Sequence, residues 1–156
     1  MTEVADRLAA LGITLPAPAA PVAAYVPTVE HGGLIHISGQ LPFHADGSWV
    51  TGRLGDDVDL AGGQEAARLC AIMLIAQIGA ALGGDFARVM RIIKLGVFVS
   101  SSPAFTDQPQ VANGASELME AVFGDIGKHA RSAVGVAVLP RAAAVEIDAI
   151  VAVHPT

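Results

Sequence analysis

The stretch that decides the fold is KHARSAVGVAVLPRAAAVEIDAIVAV, residues 128–153. Valine and isoleucine recur at every second position on both sides of residues 139–142. A period of two is typical of β-strands, and Leu-Pro-Arg-Ala is typical of a turn. The stretch therefore predicts a β-hairpin, and Arg141 in its turn is expected to be solvated.

The two faces of this predicted hairpin differ in character. We expect one face to lie on the core, and it carries Ser132, Val134, Val136, Val138, Val145, Ile147, Ala149, Val151 and Val153. The opposite face carries Arg131, Ala133, Gly135 and Ala137 on one strand and Ala144, Glu146 and Asp148 on the other. Charged residues opposite an apolar face are usually the solvated side of a sheet, but small side chains beside an arginine also leave room for a ligand.

Two separated motifs resemble the Rid (YjgF-like) family of imine and enamine deaminases. The segments ARSAVGVAVLP and VEIDAIVAV, with Arg131 and Glu146 fifteen positions apart, resemble the family's C-terminal signature. Tyr25, followed by LIHISGQLP at 34–42, resembles its N-terminal part. The resemblance covers about residues 22–153, with the motifs in the family's order.

The remaining elements predict one α+β domain over residues 1–156. Asp59 suits the N-cap of a helix at 60–82, and Asp107 with Pro109 suits the start of a second helix that stops at Gly124. An apolar strand is expected at 89–99, a short one at 49–50, and a hairpin from strands 22–29 and 34–38. A short helix at 2–11 lies within an N-terminal, proline-rich lead-in, residues 1–21.

This order of elements predicts a mixed β-sheet with two helices packed on one face. The resemblance implies the YjgF-like fold, also seen in chorismate mutase, in which three chains close their sheets into a trimeric barrel. It places the ligand pockets at the interfaces between subunits. The apolar fraction of 53% is also high for a monomer and suggests further surface buried in an oligomer.

Composition and charge limit the classes of partner that we expect for this chain. The net charge is −6 and the nine basic residues are scattered, so we expect no nucleic-acid partner. The nearly apolar run 66–82 is too short for a membrane span, and the N-terminus does not resemble a signal peptide, so we expect a cytoplasmic protein. The five histidines lack metal-ligand spacing, so no metal site is predicted. Cys70 is expected to be buried as a small hydrophobe.

The resemblance implies a reaction and its residues. Arg131 would bind the carboxylate of a 2-imino or 2-enamino acid, such as 2-aminoacrylate, because a guanidinium can donate two parallel hydrogen bonds to it. Glu146 would hold or activate the water that releases ammonia and a 2-keto acid, and no cofactor is required. The implied substrate-binding residues are Tyr25, Ser38, Ala133 and Asn113.

Two departures from the family keep a second hypothesis open. The best-known deaminases have cysteine where Ala133 stands and often glutamate where Gly135 stands. The chain could therefore be a non-catalytic protein that binds or senses a small carboxylate metabolite in the same pocket. Glu146 favours catalysis, because a pocket that only binds carboxylates gains nothing from a second negative charge. Ribonuclease activity, known for some relatives, fits an acidic chain poorly.

Overall fold

The computed structural model describes residues 3–18 and 23–156. Its helices and strands are α1 Glu3–Ala10, β1 Thr28–His31, β2 Leu34–Gln40, α2 Leu60–Ala81, β3 Val89–Ser100, α3 Gln108–Phe123, β4 Ala130–Val136 and β5 Val145–Val153. Single helical turns lie at Phe86–Arg88, Gly124–Gly127 and Pro140–Ala142. Within the described residues, no helix is long and apolar enough to cross a bilayer.

The five strands form one mixed sheet in the order β1-β2-β5-β3-β4. β3 and β4 are parallel and are joined by α3, whereas the other neighbouring pairs are antiparallel. α2 packs on β2 and β5, and α3 packs on β3 and β4. The apolar side chains of the sheet meet the helices in a core that includes Ile35, Leu74, Leu95, Met119 and Ile147. The predicted α+β fold with both helices on one face is thereby confirmed.

The two long helices begin and end close to the predicted residues. Asp59 caps α2, because its Oδ1 accepts a hydrogen bond from the Gly62 amide at 2.8 Å. α3 starts after Asp107 and ends at Gly124, whose φ of 67° favours glycine. Cys70 is fully buried in α2, as predicted, and its Sγ lies 3.6 Å from the carbonyl oxygen of Val145 on β5.

The N-terminal part differs in detail from the prediction. α1 spans Glu3–Ala10 and buries Val4 and Leu8 in the core. The first residue of the predicted helix at Thr2, the end of the lead-in at Pro21 and the start of the first strand at Val22 lie outside the described residues. The described part of that strand begins only at Thr28, so the predicted strand at 23–27 is wrong. The short strand predicted at 49–50 is reduced to isolated bridges at Trp49 and Thr51.

The predicted hairpin between β4 and β5 is wrong. β3 lies between these strands and pairs with both, in parallel with β4 and antiparallel with β5. The physical reason is the crossover: α3 carries the chain from β3 back to the same end of the sheet, so β4 lies beside β3 in parallel. A period of two shows that a segment is a strand, but it does not identify the neighbouring strand.

The predicted faces are right for β5 and wrong for β4. Arg131, Ala133 and Gly135 lie beside Leu95, Val97 and Val99 on the helix-covered face. The valines that were assigned to the core face outward, and Val134 is 46% exposed and Val138 is 72% exposed. The physical reason is that β4 is an edge strand, where α3 offers polar groups to Arg131.

Gly135 has a steric reason to be glycine. A Cβ built at this position would lie 2.6 Å from Oγ of Ser101 and 2.9 Å from Nε2 of Gln108. The side chains of Ser101 and Gln108, 3.3 Å apart, fill the space that a larger residue would need. The small residues of β4 therefore fit the helix-covered face rather than a ligand on the open face.

Candidate functional site

Arg131 is held at the edge of the sheet by α3. Its Nη1 donates to Oδ1 of Asn113 at 2.8 Å and to Oγ of Ser116 at 3.0 Å, and its Nη2 donates to the carbonyl oxygen of Pro109 at 3.0 Å. Among the described residues, no carboxylate lies within 4 Å of this guanidinium. The arginine is therefore a fixed cation whose charge is not neutralised by an acidic partner.

An open cavity of about 380 Å³ lies beside this arginine. It is lined by Asn113, Ser116, Glu117, Glu120, Lys128, His129 and Arg131. Nζ of Lys128 lies 3.5 Å from Glu120 and 3.1 Å from Asp125, so the charge of Lys128 is already paired, whereas Glu117 makes no ion pair with a described residue. Arg131 is thus the cation of this cavity that is open to an external anion.

Glu146 lies on the open face of the sheet, beside the irregular end of β2. A Cβ built on Gly39 would overlap its carboxyl group, because it would lie 2.8 Å from the carboxyl carbon. Burial and the nearby charge of Asp148 both raise the pKa of Glu146. Asp148 lies against Gly96 of β3 in the same way. The open face therefore holds two neighbouring carboxyl groups, and Glu146 is the one with the raised pKa.

The other predicted residues lie near β2. Ser38 is next to Gly39, and its Oγ donates to the carbonyl oxygen of Val26 at 3.1 Å. This bond holds the segment that contains Tyr25, whose side chain is 54% exposed. Gln40 supports the same end of β2, because its Nε2 donates to the carbonyl oxygen of Ser38 at 2.9 Å. Ser38 and Tyr25 thus lie on the Glu146 side of the sheet.

The predicted site residues form two groups in one chain. Arg131, Asn113 and Ala133 lie at β4 and α3 on the helix-covered side, and Asn113 directly contacts Arg131. Glu146, Ser38 and Tyr25 lie at β5 and β2, with Glu146 on the open face. Because β3 separates β4 from β5, the two groups are about two strand spacings, roughly 10 Å, apart. One chain therefore does not bring Arg131 and Glu146 into one pocket.

Two residues of the arginine group were not predicted from the sequence. Ser116 contacts Arg131, and Nε2 of His129 lies 2.9 Å from the Ser116 hydroxyl. The helical spacing of Asn113 and Ser116 was the available signal, because residues three apart lie on one side of a helix. His129 carried no such signal, since its contact with Ser116 depends on how the chain turns after α3.

These features define an α+β protein with a two-part polar site, one part at the β4 edge of its sheet and the other on the open face of the central strand β5. The family model described as endoribonuclease L-PSP matches residues 15–153. The chain therefore belongs to this family, which includes the YjgF and Rid proteins, and the resemblance seen in its two motifs is confirmed.

Individual relatives support the same assignment. The chain is 55% identical over 150 residues to Protein TCP17 of Trypanosoma cruzi, covering 96% of this chain and 93% of that protein. It is 27% identical over 143 residues to a 2-iminobutanoate/2-iminopropanoate deaminase of Dermatophagoides farinae, covering 91% and 95%. A crystal structure of an Agrobacterium tumefaciens protein of unknown function superposes with a TM-score of 0.90 at 50% identity, covering 97% and 94%.

Proposed function

We propose that this protein hydrolyses reactive 2-imino and 2-enamino acids, such as 2-aminoacrylate, to 2-keto acids and ammonia. The observation that carries the proposal is Arg131, a cation fixed by three hydrogen bonds and without an acidic partner among the described residues. A planar guanidinium suits the carboxylate that all these substrates share. The similarity to a named iminobutanoate and iminopropanoate deaminase supports this substrate class.

Glu146 is the residue that activates the water in this proposal. Its raised pKa lies closer to neutrality than that of an ordinary glutamate, which suits a group that accepts and returns a proton. The carboxylate takes a proton from water as the oxygen adds to the imine carbon, and the proton is passed to the nitrogen. The hydroxyl of this adduct then gives its proton to Glu146, which passes it to the amino nitrogen as the carbon–nitrogen bond breaks, and this leaves the 2-keto acid and ammonia. No redox step occurs and no cofactor is needed.

The reaction requires Arg131 and Glu146 in one pocket, so we propose a homotrimer with the site between subunits. The open face of the sheet carries exposed apolar side chains, including Ile93 and Val134. Burying these side chains against a second copy is favourable, and it would bring the β4 edge of one chain toward the β2–β5 region of its neighbour. Tyr25 and Ser38 would then complete the pocket from the Glu146 side, and Ala133 and Asn113 from the Arg131 side.

The second candidate is a protein that binds a small carboxylate metabolite without turning it over. The observation in its favour is Gly135, which stands where many deaminases have glutamate and whose space is filled by Gln108 and Ser101. A side chain at this position could not reach the pocket without displacing them. The binding hypothesis keeps the role of Arg131 and removes that of Glu146.

The experiment is incubation with freshly generated 2-aminoacrylate and with longer 2-imino acids. We expect keto-acid release above the spontaneous rate, and we expect Glu146→Gln to lower turnover by about 10²-fold. Binding of 2-keto acids is measured separately by calorimetry. A protein that binds the keto acid but leaves the spontaneous rate unchanged is a binding protein, and the deaminase proposal fails.

A further inference from the structure

A chain of hydrogen bonds runs behind Arg131. Nδ1 of His129 lies 2.6 Å from the carbonyl oxygen of Gly127, and Nε2 lies 2.9 Å from Oγ of Ser116. The same Oγ accepts a hydrogen bond from Nη1 of Arg131 at 3.0 Å. The chain links the turn before β4 to α3 and then to the guanidinium.

The chemistry of the groups fixes the direction of each bond. A carbonyl oxygen only accepts, so Nδ1 of His129 carries the hydrogen and donates it to Gly127. In the neutral ring Nε2 then accepts, and the hydroxyl of Ser116 donates to it. Burial, and then the charge of Arg131, lower the pKa of His129, so the neutral ring predominates at neutral pH. Ser116 therefore turns its lone pairs toward Arg131.

These contacts restrict how Arg131 can bind a carboxylate. Its Nη1 has two hydrogens, and both are used, one by Asn113 and one by Ser116. A carboxylate that binds across the end of a guanidinium needs one hydrogen from Nη1 and one from Nη2, so that mode is closed. Nε–H has no hydrogen bond to a described residue, and Nη2 uses only one of its hydrogens, with Pro109. The side formed by Nε and Nη2 is the one left for two parallel hydrogen bonds.

We propose that Ser116 and His129 are positioning residues, which hold Arg131 so that its Nε and Nη2 side faces the carboxylate of the ligand. The inference rests on the proposed role of Arg131 in binding carboxylates, and it holds for catalysis and for binding alone. Loss of the chain frees the guanidinium to rotate, so the arginine keeps its charge but loses its two-point geometry. The protein should therefore lose preference for a planar carboxylate ligand over a neutral analogue of the same shape.

Two substitutions of one residue test the proposal. The amide of glutamine can reach the position of Nε2 and accept from Ser116, whereas the amide of asparagine reaches only the position of Nδ1. His129→Gln should therefore keep the wild-type affinity for pyruvate, and His129→Asn should weaken it about tenfold, the effect of one hydrogen bond. Ser116→Ala should match His129→Asn. In both weakened variants the affinity for pyruvamide should change little, and KM for the imino acid should rise with kcat nearly constant.

The controls separate this inference from the proposed function. His154→Gln changes an exposed histidine far from the chain of hydrogen bonds and should have no effect on either ligand. Thermal melting identifies any variant that loses affinity because it unfolds. If His129→Asn unfolds, His129→Gln alone provides the test, because it must bind pyruvate like the wild type. Equal pyruvate affinity in wild type and folded His129→Asn overturns the inference. Pyruvate binding that depends on His129 without hydrolysis supports it and overturns the deaminase function.

Discussion

The carboxyl group of Glu146 occupies the space that a side chain on Gly39 would fill. A Cβ at residue 39 would lie 2.8 Å from the carboxyl carbon, a contact that real Cβ atoms do not make. The same relationship joins Asp148 to Gly96, where a Cβ would lie 3.1 Å from the carboxyl carbon. Each acid can move, because it is at the end of a flexible side chain. These two glycines provide a way to displace one carboxyl group at a time.

Gly39→Ala should lower activity without unfolding the protein. The added methyl group displaces the carboxyl of Glu146, and a shift of about 1 Å in a catalytic group costs on the order of 10²-fold in rate. Gly96→Ala is the matched control, because it displaces Asp148 and should leave most of the activity. Imino-acid hydrolysis and thermal melting on both variants provide the measurement. Equal losses in the two variants would show that Glu146 has no special role.

Asp148→Asn should move the acid limb of the pH profile to lower pH. Glu146 must be ionised to accept a proton from water, so activity falls as the pH drops through its raised pKa. Burial is the larger cause of that raised pKa and remains in the variant, but the repulsion by Asp148 is removed. The measurement is kcat/KM from about pH 4 to about pH 8. If the acid limb does not move, the group that titrates there is not Glu146.

Asp148→Asn should also change the free energy of unfolding. Folding raises the pKa of Glu146 above its value in the unfolded chain. Glu146 therefore contributes to stability at pH values below the pKa of the unfolded state, and this contribution is lost as the pH rises through the pKa of the folded state. At neutral pH the ionised Glu146 is therefore unfavourable in the folded protein. Asp148→Asn should raise the free energy of unfolding there, by an amount that shrinks toward acid pH. Urea unfolding at neutral and at acid pH measures both values.

Arg131 and Arg141 should behave differently when replaced by alanine. Arg131→Ala removes the carboxylate-binding cation and should lower kcat/KM by roughly 10²- to 10⁴-fold, since charge-assisted hydrogen bonds contribute about 1.5–3 kcal/mol each. Arg131→Lys should restore little, because an ammonium cannot form the two parallel bonds. Arg131→Ala also loses three bonds to α3, so we expect a modest fall in melting temperature.

Arg141 lies in the turn and is exposed, as expected, but it also makes contacts with Trp49 that were not predicted. Its guanidinium lies 4.1 Å from the centre of the Trp49 ring, and its carbonyl oxygen accepts from Nε1 of Trp49 at 3.0 Å. Arg141→Ala should therefore lower stability by about 0.5–1 kcal/mol, the size of an exposed cation–π contact, and leave activity unchanged. A loss of activity equal to that of Arg131→Ala would contradict the assignment of the site.

Val134→Asp tests the proposed homotrimer. Val134 is exposed on the open face, and Phe98 lies between it and Glu146 in the register of the sheet. A charge there should dissociate the assembly, because burying an unpaired carboxylate is strongly unfavourable. Light scattering should give a trimer for the wild type and a smaller species for the variant, with activity lost in parallel. A wild-type protein that is a monomer at micromolar concentration would contradict the shared pocket.

The sequence predicted local structure well and the arrangement of strands poorly. Asp59 caps α2 with its side chain and Gly124 ends α3 with a positive φ, whereas Asp107 precedes α3 without a side-chain bond to it. These helix ends depend on nearby residues, so a local pattern identifies them. The position of β4 depends on the crossover through α3, which a period of two does not encode. The same limit explains the site: Arg131 and Glu146 were identified by resemblance, but the network of Ser116 and His129 depends on contacts between distant segments.

The place of β5 in the sheet has a consequence for how the protein is made. β5 comes last in chain order, yet it lies between β2 and β3 and pairs with both. Until the ribosome has released this strand, the β1–β2 hairpin and the β3–α3–β4 unit share contacts with α2 but have no strand that pairs with both. During that interval the hairpin and the β3–α3–β4 unit each expose the edge of a sheet, and such edges are prone to pair with other chains. Slow release of the last strand should therefore favour aggregation during synthesis more than any slow step earlier in the chain.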